Sequence, residues 1–173
     1  TMEHWNLFLF DGFGSYDPDT IYSRIEYLAC GLECRIVFLD HLSILLSGLD
    51  GDERRMIDTT MTKLRSLVER TGITLFLVSH LRRSNNDRTS HEEGGKVSLS
   101  QLRGSHSIAQ LSDQVIALER DQQSENDRDV TTLRIIKNRY SGETGFAGKI
   151  KYNLSTSRFT EHETETTPIF DPS

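Results

Sequence analysis

Asp40 closes the apolar run IVFL at 36–39 and Ser79-His80 closes ITLFLV at 73–78, and the endings at Asp40 and His80 carry the first candidate chemistry. A carboxylate at a strand end can hold Mg²⁺ directly or through its waters. An imidazole at the end of a neighbouring strand can report on the charge of a terminal phosphate. Each residue also has a plainer reading, an ordinary strand-ending acid and a histidine bonded to a loop carbonyl. Lys137 and Arg139 alternate near the end of another run and so face one side. They are either surface cations or an arginine finger, with its companion lysine, set into a neighbour's phosphoryl-transfer site. Arg120, ending the preceding strand, and Tyr152, on a hairpin partner, have the types needed to bracket a flat base by stacking and cation–π contact.

Arg82, Arg83, Arg88, Lys96 and Arg103 fall in one polar stretch, diluted by Asp87, Glu92 and Glu93. Such a stretch is a solvated loop or a set of loops tracking a phosphate backbone by charge, with Gly104 allowing close approach. It holds no aromatic residue, which favours phosphate contact over base stacking. Gly94-Gly95-Lys96 imitates a phosphate-cradling P-loop but is followed by Val97, where Ser or Thr is needed, and the motif's first glycine is missing. If the chain handles a nucleoside triphosphate, the main phosphate grip lies outside it.

The elements that must position these residues alternate between strand and helix and then turn to strands only. Strands are expected at 5–10, 35–40, 73–79 and 114–119. The unbroken apolar runs read as parallel strands buried on both faces, and in such sheets ligands bind beyond the carboxyl ends. Helices are expected from Asp17 to Ala29, with Pro18 in the first turn, and from Asp52 to Arg70, with Gly72 closing it. A short helix is expected over 105–111. Residues 130–140 and 146–153 alternate around SGETG and read as an antiparallel hairpin. From Glu161 onward a Thr-, Glu- and Pro-bearing tail should be disordered. The fold class is α/β, a parallel sheet finished by an antiparallel edge.

The chain has 173 residues, about one domain, with 35% apolar and 27% charged residues and a net charge of −6. That balance excludes wholesale coating of nucleic acid and leaves only a local basic surface for it. No apolar stretch approaches a membrane span, and no signal sequence opens the chain. Cys30 and Cys34 lack two further ligands at metal-site spacing and read as free thiols of a reducing cytosol. Thr1 is not a natural start, so the chain is expected to be a segment of something longer.

The segments IVFLDHLS, GDERRMIDTTMTKLRSL, TLFLVSHLRR, SHEEGGKVSLSQLRGSHSIAQLSDQVIALERDQQ and LRIIKNRYSGETGFAGKIKYN closely resemble the helicase half of bifunctional phage primase–helicases, of the DnaB-type hexameric family. The resemblance runs from Trp5 to Phe159. It implies a partial RecA-like ATPase domain over 1–160, whose strands end in an antiparallel hairpin, followed by an acidic tail over 161–173. It implies an ATP-dependent 5′→3′ replicative helicase, a homohexamer or heptamer around single-stranded DNA, hydrolysing ATP or dTTP with Mg²⁺ in the host cytoplasm. On that resemblance Asp40 is the metal-side acid and His80 the sensor linking γ-phosphate to DNA. Gln110 couples nucleotide to DNA loops, Arg139 is the finger given in trans with Lys137 beside it, and Arg120 and Tyr152 sandwich the base. The loops after Asp40 and His80 and around Arg103, Gly104 and Ser105 line the channel. The tail is similar in place to the family's polymerase-docking tails, although this one ends in Phe170-Asp-Pro-Ser.

The family's P-loop and water-activating glutamate precede the region aligned with Thr1. Its P-loop strand lies between those ending at His80 and Glu119, so a vacancy in the sheet is expected. Residues 1–173 alone should neither hydrolyse ATP nor form a stable ring. Robust ATPase activity from this segment would refute that expectation. Two other readings fit less of the sequence: a non-catalytic DNA-binding or ring-completing module, and an ATPase of the recombinase or clock-protein kind.

Overall fold

The computed structural model describes residues 7–10, 17–46, 51–81, 94–102 and 106–162. Helix α1 spans Pro18–Gly31, and the Asp17 side chain caps it by accepting a bond from the Asp19 amide. Strand β1 is Ile36–Leu39, followed by the short helix α2, Leu42–Leu46. Helix α3 is Glu53–Thr71, capped by Asp52 and ended by Gly72 in the left-handed region at φ +70°. That conformation is open to glycine at no Cβ cost. Strand β2, Thr74–Leu77, pairs in parallel with β1.

A short 3₁₀ turn at Leu99–Gln101 and helix α4, His106–Leu111, lead into the second sheet. Its strands are β3 (Gln114–Glu119), β4 (Val130–Asn138), β5 (Gly145–Asn153) and β6 (Arg158–Glu161), antiparallel in sequence order. The hairpin reading of 130–153 holds. β6 is an addition to the expected strands, and it carries ordered pairing to Glu161, where the tail was expected to begin. Residues 163–173 lie outside the described residues.

One apolar cluster gathers Ile21, Ile25, Leu45, Leu64, Leu67 and Ile73, with Val37, Leu39, Leu75 and Leu77 packed against it. Helices α1 and α3 thus cover one face of the β1–β2 pair. A second cluster joins Leu42, Ile57 and Met61 to Leu102 and Ile108, with Leu77, Leu81 and Val115 at its edge. It ties α4 and the start of β3 to the end of β2.

Two expectations change. β1 and β2 are buried on one face only: Ile36 is 60% and Phe38 72% exposed, and Phe38 stacks at 4.7 Å on Phe76, which is exposed as well. Alternate residues of a strand point to opposite faces, and among the described residues helices lie over one face only. Residues 7–10, expected in a strand, take no strand conformation, and Leu7, Phe8, Leu9 and Phe10 are exposed. An apolar run becomes a strand only where a neighbouring backbone supplies the ladder. Among the described residues no ladder joins β2 to β3, and the sheet falls into a two-stranded and a four-stranded part.

Candidate functional site

Backbone bonds from Val78 N–H to Leu39 O (3.0 Å) and from Leu42 N–H to Val78 O (2.9 Å) lock the ends of β1 and β2 together. Asp40 and His80 therefore come to one edge, both exposed, as parallel pairing of their strands requires. Asp40 has no hydrogen-bond or ion-pair partner among the described residues. His41, which sequence reasoning passed over as a site residue, sets its ring edge against His80 at 4.4 Å between centroids. Its Nδ1 is buried with no partner among the described residues. No group of three or more His, Cys, Asp or Glu gathers into a metal cage among the described residues. Mg²⁺ needs none, since one or two carboxylates with substrate phosphates and waters suffice. A free, exposed, hard-oxygen donor such as Asp40 fits that mode.

A second corner forms where α4 meets β4. Lys137 does not stand free beside Arg139. Its Nζ donates to the carbonyls of Ala109 (2.5 Å), Gln110 (3.2 Å) and Ser112 (2.7 Å), at the end of α4. The last carbonyls of a helix lack intrahelical partners and carry partial negative charge, which an ammonium satisfies. Lys137 thus caps the helix that bears Gln110, itself exposed. Arg139 lies just past β4, and its amide donates to Asp113 O at 2.8 Å. Its Nη1 meets Asp113 Oδ1 at 3.2 Å, while Arg65 of α3 holds Oδ2 at 2.7 Å. Burial works to raise the Asp113 carboxyl, but hydrogen bonds from Arg65 and Arg139 outweigh it and hold the group below the usual carboxylate range.

The opposite end of the four-stranded sheet carries Arg120 and Tyr152. The Arg120 Nε donates to Arg128 O at 2.6 Å, and the Tyr152 amide donates to Asp129 O at 2.8 Å. One turn therefore brings both residues to the same end. The Tyr152 ring rests on Phe159 of β6, 5.1 Å between centroids, a second aromatic absent from the expected site.

Of the basic loop residues, Lys96 is exposed, whereas Arg82, Arg83, Arg88, Arg103, Gly104 and Ser105 lie outside the described residues. The bases of their loops are fixed. Leu81 and Leu102 form an antiparallel bridge. Beyond Lys96, the Val97 amide donates to Glu119 Oε1 at 2.6 Å, and Arg134 bonds both Val97 O and Glu119. Burial would raise the Glu119 carboxyl, but the Arg134 guanidinium and the Val97 amide hold it low.

Glu119→Ala leaves that largely buried guanidinium with the Val97 carbonyl but no counter-ion, with an expected loss of about 3 kcal/mol in denaturant unfolding. The depressed pKa means that Glu119 contributes its full stability above the unfolded carboxyl pKa. That contribution is lost as pH falls through the still lower folded value. Wild-type protein should therefore lose more stability on acidification below about pH 4.3 than Glu119→Gln does. Equal acid slopes would remove the assignment.

The DnaB-like helicase C terminal domain family matches residues 1–161, and the chain belongs to that family. The chain is 41% identical over 149 residues to the DNA helicase/primase of Enterobacteria phage T3, covering 86% of this chain and 26% of that protein. It thus spans about a quarter of that relative's length. The solved structure of another protein's ATPase domain shares its fold with a TM-score of 0.66 at 20% identity, over 86% of this chain and 52% of that one. The α/β, RecA-like class expected from the sequence is the class observed. Among the described residues no helix is long and apolar enough to cross a membrane.

Proposed function

We propose that this chain is the C-terminal part of the motor domain of a ring-forming replicative helicase. The ring moves 5′→3′ along single-stranded DNA and hydrolyses ATP or dTTP at its subunit interfaces. One observation carries the reading. Arg120 and Tyr152 sit at one end of β4, and Arg139 lies just past the other. Eight residue steps of about 3.4 Å separate the two ends by about 27 Å, and the side chains do not close that gap, since Arg128 O holds Arg120 at its end and Asp113 holds Arg139 at the other. If both ends act on nucleotide, they act on two different molecules. A subunit that brackets its own base then offers its finger to the next subunit, and a head-to-tail ring follows.

In that ring Asp40 would hold Mg²⁺, which would supply positive charge against the charge developing on the transferred phosphate. His80 stands at the same edge to contact the γ-phosphate, with His41 supporting its ring. Gln110, exposed on α4, couples the nucleotide edge to the DNA-facing loops. The loops bearing Arg82, Arg83, Arg88, Lys96 and Arg103 follow the DNA backbone. The P-loop belongs to a part of the domain outside 1–160, and that part covers the bare Phe38–Phe76 face. Identical subunits, as a hexamer or heptamer, and single-stranded DNA are the partners, with a polymerase bound through the acidic tail in the host cytoplasm.

The test is unwinding of duplexes tailed on one strand by the full-length, assembled protein. Unwinding from a 5′ tail with DNA-stimulated hydrolysis is expected. DNA binding without hydrolysis would favour the non-catalytic module instead. Opening from a 3′ tail would overturn the direction.

A further inference from the structure

We infer that Asp113 is a positioning residue for Arg139, through which the seat of α4 sets the seat of the finger. The inference rests on the finger reading of Arg139. Its observations concern Asp113, which lies two residues past the end of α4 and directly before β3. Arg65 of α3 grips Oδ2 at 2.7 Å and fixes the carboxylate's orientation, leaving Oδ1 to face Arg139 Nη1 at 3.2 Å. Asp113 also holds the Arg139 backbone, through its own carbonyl, at 2.8 Å.

The grip on the side chain is light. A guanidinium has five N–H donors in a planar fork, and Asp113 takes one of them in a long, half-exposed contact. Surface pairs of this kind contribute little to stability. What the contact supplies is direction, since an arginine on a hairpin shoulder otherwise samples many rotamers. The remaining edge of the fork stays available for a phosphate, which guanidinium binds with two parallel bonds.

Asp113 is also well placed to transmit. Lys137 clamps the last carbonyls of α4 to β4, and Leu77 and Leu81 pack with Ile108 beneath that helix. A shift of α4, the helix entered from the Arg103–Ser105 loop, therefore carries Asp113 with it. The guanidinium that Asp113 aims moves in turn. The finger is thereby tied to the DNA side of its own subunit while it serves the nucleotide of the next.

The test uses the full-length assembled protein and reads kcat and KM of DNA-stimulated hydrolysis for Asp113→Asn, Asp113→Glu, Arg139→Ala and the Asp113→Asn/Arg139→Ala double variant. Asp113→Asn should lower kcat about 10- to 100-fold, the effect of misplacing a catalytic group by about 1 Å, with KM and ring assembly unchanged. Asp113→Glu should recover most of the rate, and the double variant should be no slower than Arg139→Ala. The inference is overturned if Asp113→Asn runs at the wild-type rate or changes only assembly. It is overturned equally if it slows the Arg139→Ala protein by the same factor as wild type. A wild-type rate from Arg139→Ala itself would sink the finger reading first, and the two failures are thereby distinguished.

Discussion

Arg139→Ala in the assembled protein is expected to reduce DNA-stimulated nucleotide hydrolysis by about 1,000-fold or more, the range over which arginine fingers act. The side chain is exposed, and its one side-chain contact among the described residues is the long pair with Asp113. Losing that pair changes folding stability by about 0.5 kcal/mol. A large catalytic loss with an unchanged unfolding midpoint therefore separates charge supplied to a reaction from charge supplied to the fold. Steady-state hydrolysis with and without single-stranded DNA, beside denaturant unfolding, gives both numbers. Unchanged hydrolysis would remove the finger role.

Asp40→Asn should lower Mg²⁺-dependent hydrolysis by about 100- to 1,000-fold, as removal of one preorganised electrostatic group does. An amide keeps the size of the side chain but not the negative charge that holds a divalent cation. Asp40 is exposed and unpaired among the described residues, so the variant should fold and pack α2 as wild type does. The informative measurement is a Mg²⁺ titration of hydrolysis at saturating nucleotide. A curve shifted to higher Mg²⁺ with a lowered plateau supports a ligand role. A curve superimposable on wild type would leave Asp40 as a strand-ending acid.

Much of this architecture is local and legible in the residues. The Met56, Ile57, Met61, Leu64 and Leu67 stripe with Asp52 before it and Gly72 after it specifies α3 almost to the residue. The alternation on either side of SGETG specifies the β4–β5 hairpin. The ends of β1 and β2 before Asp40 and Ser79-His80 are legible because a run of apolar residues stops abruptly at a polar one.

What escapes is tertiary. Whether both faces of β1 and β2 are covered depends on helices elsewhere, so apolar Ile36 and Phe38 read as core although they are bare. Lys137 reads as a free cation beside Arg139, because nothing in its neighbourhood in sequence announces the Ala109, Gln110 and Ser112 carbonyls at the end of α4, 25 to 28 residues earlier. Asp113 and Arg139 are separated by 26 positions, and their meeting depends on the β3–β4 register. β6 is illegible because four exposed residues, RFTE, carry no burial signal.

The separation of Arg139 from Arg120 and Tyr152 along β4 has a genetic reading. On the proposed ring, every working interface is built from two copies of the gene product. A lesion at Arg139 leaves its own bearer's nucleotide site whole and disables the neighbour's, while a lesion at Asp40 does the reverse. Two alleles that are each dead alone should therefore restore some activity when co-expressed. In randomly mixed rings, about one interface in four unites the intact Asp40 of one product with the intact Arg139 of the other.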